Sequence, residues 1–445
     1  MPRTSRTSKI IHYAIVALVV IMLSLLAWWY IFLSAKEDTL RSTDLARGAG
    51  LAPPSFGEAV GSTYNNITKN LSSFIERVGT EGPESSSPRL RQVTKTPVAG
   101  AGFIVREPRG NTSVARAVST STSILRFVER GTGYVFESEA NRTSLVRVTN
   151  TLVPQVYEAL LAKNGAIIMR NIDETGAIVT FSAFATTTPS LNTASSSLSL
   201  SPLPKNIRTI TFSPSGEEVL YILEEAGGSA SLIRAPRQAG TGTRMARLGL
   251  SGWQIEWLVG NRFILTQHAT DGLPGYAYEV GGNGSLVPLL SGIPDLALSM
   301  QANLSQAAKA SGMLYSSGFT LSARANANAS VVTLPIRTTA EKCVWALNNT
   351  LIAYCAVPQA SPSVNAMGRW LRGEIHTADT WWKVDAGSGR AEILYTAEGG
   401  SRLDVERPVI DPKGEYIAFL NAVDKSLWLL RLSDLPAKTS AQAGE

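Results

Sequence analysis

The stretch Thr211-Phe-Ser-Pro-Ser-Gly-Glu-Glu-Val-Leu-Tyr221 (TFSPSGEEVLY) sets two apolar arms around a polar Ser-Pro-Ser-Gly turn. Proline fixes φ at the second position of a β-turn, and glycine takes the position that requires positive φ. The segment therefore reads as strand, tight turn and strand, with Phe212 and Tyr221 nine residues apart on the two arms. Two other stretches keep that spacing. In VIDPKGEYIAF (409–419), Ile410 and Phe419 flank Asp411-Pro-Lys-Gly414; in VWALNNTLIAY (344–354) the pair is Trp345 and Tyr354. In LLAKNGAIIM (160–169), Leu161 precedes Gly165 by the same four residues that separate Phe212 from Gly216. More degenerate copies are read at Trp257–Leu265 and Leu304–Tyr315.

Centres at 161, 212, 257, 304, 345 and 410 give spacings of 51, 45, 47, 41 and 65. Periods in this range mark propeller blades of four strands. An earlier blade is read over 97–149, and the last, from about 404, supplies only three strands, RPVI, YIAFL and SLWLLRL. LRQVTKT at 90–96 resembles LVRVTNT at 145–151, which reads as an outer strand. Residues 90–94 are therefore expected to complete the last blade. The fold expected over 90–432 is all-β, a seven-bladed β-propeller of four-stranded antiparallel blades, closed so that no edge strand is left to template aggregation.

The Ser-Pro-Ser-Gly and Asp-Pro-Lys-Gly turns, each between hairpin arms, resemble the WD40-like repeats of TolB-type β-propellers across 90–432. The resemblance implies an extracytoplasmic propeller that binds protein partners. The chain departs from that pattern in carrying an apolar N-terminal segment and in lacking the domain that precedes the propeller in TolB-type proteins.

Residues 10–33 (IIHYAIVALVVIMLSLLAWWYIFL) form 24 positions without a formal charge. At about 1.5 Å per residue, a helix of this length spans the hydrocarbon core of a bilayer. Arg3, Arg6 and Lys9 precede it and Glu37 and Asp38 follow. The positive-inside bias puts the tail 1–9 in the cytoplasm and the remainder outside, as a single-pass signal anchor. A cleaved signal peptide ending near Leu33-Ser34-Ala35 is the competing reading. Residues 34–89 are a Gly/Ser/Pro-rich linker. Within it Phe56, Val60, Tyr64, Ile67, Leu71, Phe74 and Val78 recur at heptad-like spacing on a helix at about 56–78. That helix reads either as an oligomerising stalk, which would make a homo-oligomer, or as one lying on the domain that follows. Residues 433–445 read as a disordered tail.

Cys343 and Cys355 are the two cysteines, each six residues from Asn349. A hairpin folded about residues 348–350 puts them opposite one another at disulfide distance. An oxidising compartment would favour the bond over two free thiols.

Chemistry leaves few marks. TolB-like propellers also precede serine peptidase domains, but 13 residues follow Leu432 and no Gly-x-Ser-x-Gly elbow occurs. No phosphate loop or dinucleotide fingerprint is present, and the three histidines lack His or Cys partners at ligand spacing. No catalytic residue, cofactor or metal site is assigned. The net charge of +6 has half its excess in the first nine residues, which argues against a nucleic-acid surface.

The spacing of 65 after Trp345 comes from PQASPSVNAMGRWLRGEIHTADT (358–380), between the second and third strands of blade six. QHATDGLPG (267–275) holds the equivalent place in blade four. Arg369, Trp370, Arg372, Glu374 and His376 are thus expected to share a face with His268 and Asp271. Trp and Arg anchor many interfaces. The competing reading folds the loop back, with Trp370 capping the flank and both histidines as ordinary loop residues. The function expected is a protein-binding or scaffolding module of a cell-envelope complex. The alternatives are an envelope enzyme or carbohydrate-binding propeller with a site at the central channel, and an oligomerising structural stalk protein.

Overall fold

The Ser-Pro-Ser-Gly segment closes with the Gly216 N–H donating to the Ser213 carbonyl at 2.9 Å, and Gly216 has a φ of +75°. The same bond and the same left-handed glycine recur at Asp411/Gly414 (2.9 Å, +72°) and Ala162/Gly165 (2.9 Å, +89°). A side chain at these positions would meet its own carbonyl, so the turn needs glycine. The structure is a computed structural model that describes Met22 and residues 88–433. Positions 105–122, 188–195, 226–227, 239, 268, 302–311, 327, 348–349, 364 and 398–401 are not among the described residues. The segment 10–33, the stalk helix at about 56–78 and the tail lie outside them. Among the described residues no helix is long and apolar enough to cross a membrane.

These turns join strands into seven antiparallel sheets of four. Six blades are sequential: Val98–Arg147, Glu158–Pro202, Ile207–Leu248, Trp253–Pro294, Leu296–Arg337 and Cys343–Tyr395. The seventh takes Val405–Ile410, Tyr416–Asn421 and Leu427–Arg431, and its outer strand is Leu90–Thr94. The closing strand pairs antiparallel, Leu90 opposite Leu430 and Gln92 opposite Trp428. Arg91 extends the seam by donating from Nη2 to the Glu139 carbonyl of blade one at 3.1 Å.

Burial explains why the strands read as they do. In each blade the second strand is covered on both faces by neighbouring blades, so Ala166–Ile172 (AIIMRNI) and Glu218–Glu224 (EVLYILE) are continuous apolar runs rather than alternating ones. Outer strands such as Leu145–Arg147 are exposed throughout. The core is correspondingly divided into seven clusters, one at each blade-to-blade interface. Each fully buried Leu, Ile or Phe contributes roughly 1.5–3 kcal/mol. The ring is held by seven such seams.

Two expectations need correction. The first arm of blade five is Leu296–Met300, with Leu298 opposite Tyr315; position 304 lies outside the described residues. The nine-residue spacing also does not mean one thing. Phe212 and Ile410 pair with Val219 and Ile417, so Tyr221 and Phe419, two residues beyond, share their faces. Trp345 pairs with Ala353, and Tyr354, one residue beyond, points to the opposite face. Trp345 packs towards blade five and Tyr354 towards blade seven. The blade-six hairpin turn has one residue more than those of blades three and seven. Its cysteines do face each other: Cys343 and Cys355 are paired in register, 4.0 Å apart at Cα, and form a disulfide.

Candidate functional site

The insertion leaves blade six after Pro358, forms a short helix, Ala366–Leu371, and returns at Asp379. The loop after Gln267 leaves blade four at the corresponding place and returns at Pro274. The two loops meet. Arg372 Nη1 lies 3.1 Å from Asp271 Oδ2, and a Cβ on Gly368 would stand 2.2 Å from Asp271 Oδ1. Arg372 Nε also donates to Glu374 Oε1 at 2.6 Å, and Arg369 Nε lies 3.6 Å from Glu374 Oε2. These side chains are about half exposed. Exposed pairs of this kind contribute at most about 1 kcal/mol each, so they orient the loop edge more than they stabilise it.

What fixes the insertion lies beneath. Lys342, fully buried, follows the last outer strand of blade five and directly precedes the blade-six strand Cys343–Trp345. Its Nζ donates to Asp379 Oδ2, Asp404 Oδ1 and Thr377 Oγ1, each at 2.6 Å. All three ammonium hydrogens are thereby used. Trp370 turns inward: its ring stacks on Lys342 Nζ at 4.8 Å, and its Nε1 donates to Asp404 Oδ1 at 2.9 Å. His376 Nδ1 lies 3.0 Å from Asp404 Oδ2, which fixes the Nδ1–H tautomer against the carboxylate and leaves Nε2 as its remaining ring nitrogen.

Two buried aspartates thus share one lysine, and their environments differ. Burial raises the Asp379 carboxyl, and Lys342 only partly offsets it. Asp404 is also raised by burial, but Lys342 together with hydrogen bonds from Lys342, Trp370 and His376 brings it below the usual carboxylate range.

Behind this cluster a cavity of ≈ 700 Å³ opens on the propeller axis. Its lining comes from the first strands of blades four to seven, from Trp370, Leu371, Gly373 and His376 of the insertion, and from Ala422 and Lys425 of blade seven. A second cavity of ≈ 320 Å³ lies among blades one, two and seven, between Gly100, Leu161 and Phe419.

Of the residues singled out in the sequence, Arg369, Arg372, Glu374 and Asp271 share one exposed edge, whereas Trp370 and His376 are tied to Asp404. His268 lies outside the described residues. Sequence reasoning missed Lys342, Asp379 and Asp404, which are 37 and 62 residues apart along the chain from the lysine. It also missed Glu256 on the cavity wall. The available signal was a charged residue interrupting an otherwise apolar strand boundary. Among the described residues no group of three or more metal-ligating side chains is found.

No family model matches the sequence and no curated protein matches it. Among solved structures, the chain is similar to virginiamycin B lyase from Staphylococcus aureus, at 10% identity and a TM-score of 0.46, over 77% of this chain and 98% of that one. It is also similar to the β-propeller domain of the Trilobed protease from Pyrococcus furiosus, at 9% identity and a TM-score of 0.42, over 75% of this chain and 98% of that one. The architecture rests on the seven sheets and their closure, which make the chain a seven-bladed β-propeller.

Proposed function

We propose that this protein is a membrane-anchored, extracytoplasmic propeller that serves as a protein-binding or scaffolding module of a cell-envelope complex. The apolar run 10–33 with its cationic flank supports the anchor, and the Cys343–Cys355 disulfide fits an oxidising compartment. The observation that carries the reading is the blade-six insertion. Turns on the opposite face repeat, but this segment does not, and buried groups hold it so that Arg369, Arg372 and Glu374 stand beside Asp271 of blade four. A preorganised charged edge loses little entropy on binding.

The test is site-specific photo-cross-linking in the native membrane. A cross-linker at Arg369 should give a discrete adduct that the same cross-linker at Ser215, in a hairpin turn of the opposite face, does not give. Equal adducts from both positions, or none from Arg369, would remove the assignment.

A further inference from the structure

Among the described residues, eight buried side-chain polar atoms have no hydrogen-bond partner, and one of them belongs to a residue on a cavity wall, Oε2 of Glu256. The geometry points to the axial cavity of ≈ 700 Å³ as a binding site for a small organic cation, whose protonated amine would pair with the Glu256 carboxylate.

Glu256 sits in the first strand of blade four (Trp253–Leu258), and the backbone N–H of Met300, from the first strand of blade five, bonds its carboxyl. A carboxyl shut away from water in this way is costly to ionise unless a cation is brought to it. The other cations on the wall are already matched. Lys425 Nζ lies 2.7 Å from Glu406 Oε2, and Arg407 Nη2 lies 2.7 Å from Glu158 Oε1. The lining also holds Glu341, Glu406 and His376. An amine is the ligand that lets the buried Glu256 carboxyl ionise with a partner beside it. Trp345 and Trp370 also line the cavity, and indole rings suit an ammonium. The volume falls in the range of small-molecule sites.

Burial pushes the Glu256 carboxyl up to about 7. The titratable and charged groups that share the cavity with it are Glu341, His376, Glu406, Arg407 and Lys425. A bound ammonium favours the ionised form, so at low pH binding must first expel the proton. Affinity should therefore fall about tenfold from pH 8 to pH 6.

Calorimetric titration of the full chain in detergent tests the site, using butylammonium, 1,5-diaminopentane and choline beside the neutral isosteres butanol and 1,5-pentanediol. The expected result is saturable binding of at least one amine, none of the matching alcohol, and the stated loss at the lower pH. Glu256→Gln should abolish amine binding and its pH dependence while leaving the far-ultraviolet circular dichroism unchanged. Ser299→Phe, on the adjoining strand of the lining, should block the cavity without removing the carboxylate, and decides the matter if the first variant does not fold. No binding of any amine at millimolar concentration, equal binding of amine and alcohol, or undiminished binding in the folded Glu256→Gln chain overturns the proposal.

Discussion

Lys342 is fully buried and compensates two aspartates that are also fully buried. Removing it strands both charges in the core. Lys342→Met should therefore destabilise the protein by about 3–5 kcal/mol, the range seen when one partner of a buried pair is deleted. The two aspartates should not respond alike. Asp404, with its carboxyl held below the usual range, contributes stability that is present above the unfolded carboxylate pKa and is lost as pH falls through the folded value. Asp379, raised by burial, contributes the reverse: its charged form is disfavoured in the fold, and the cost grows as pH rises through its folded value. At pH 7, Asp404→Asn should thus cost more than Asp379→Asn, and the gap should close on acidification. Urea unfolding of the three variants at pH 7 and at about pH 3, below the unfolded carboxylate value, checks the order; an Asp404→Asn loss undiminished at the lower pH would contradict it. None of this was legible in the sequence. The three residues come together only because blade seven follows blade six around the ring.

The hairpin is the element through which the chain states its fold, and its glycines permit a controlled comparison. Gly216 and Gly414 hold nearly the same backbone, with φ of +75° and +72°. Alanine at either should pay about 1–2 kcal/mol for the left-handed conformation. The surroundings then separate them. A Cβ on Gly414 meets nothing within 4 Å, whereas one on Gly216 would stand 2.4 Å from Asn164 Oδ1 and 2.8 Å from the Ala162 Cβ of blade two. Asn164 also donates from Nδ2 to Glu217 Oε1 at 2.9 Å, so the clash would disturb the contact between the two blades. Gly216→Ala should accordingly lower the midpoint of thermal unfolding clearly further than Gly414→Ala; indistinguishable midpoints would show that only the backbone matters. The turns with both Pro and Gly were readable because their chemistry is local. Blade six was harder to place, since one extra residue in its turn reverses the face of Tyr354 while keeping the spacing from Trp345. The insertion was readable as a break in the period. The inward turn of Trp370 was not, because its acceptor, Asp404, belongs to the next blade.

At the scale of the whole molecule, blade count and closure follow from period and end-matching, and the cavity wall does not. Its residues come from the first strands of four blades, the blade-six insertion and the segment 422–425 of blade seven, where no spacing relates Glu256 to Lys425 or His376. Closure itself makes the last prediction. With seven interfacial clusters in a ring, every blade has two neighbours, and the seam between blades seven and one is sealed by a strand from the far end of the propeller. Residues 88–94 contribute backbone pairing along Leu427–Arg431, a bond from the Arg431 N–H to the Arg89 carbonyl at 2.8 Å, and the Arg91 contacts to blade one. Replacing 88–94 by a Gly/Ser segment of equal length would bare the apolar strand Leu427–Arg431 as an edge, which is a template for association. The variant should melt well below the parent and aggregate in a concentration-dependent way. A synthetic peptide of residues 88–96 added in excess should restore both properties, because the native register needs the strand and not its covalent connection. Rescue by a scrambled peptide, or a replacement variant that melts like the parent, would show that the ring holds without its closing strand.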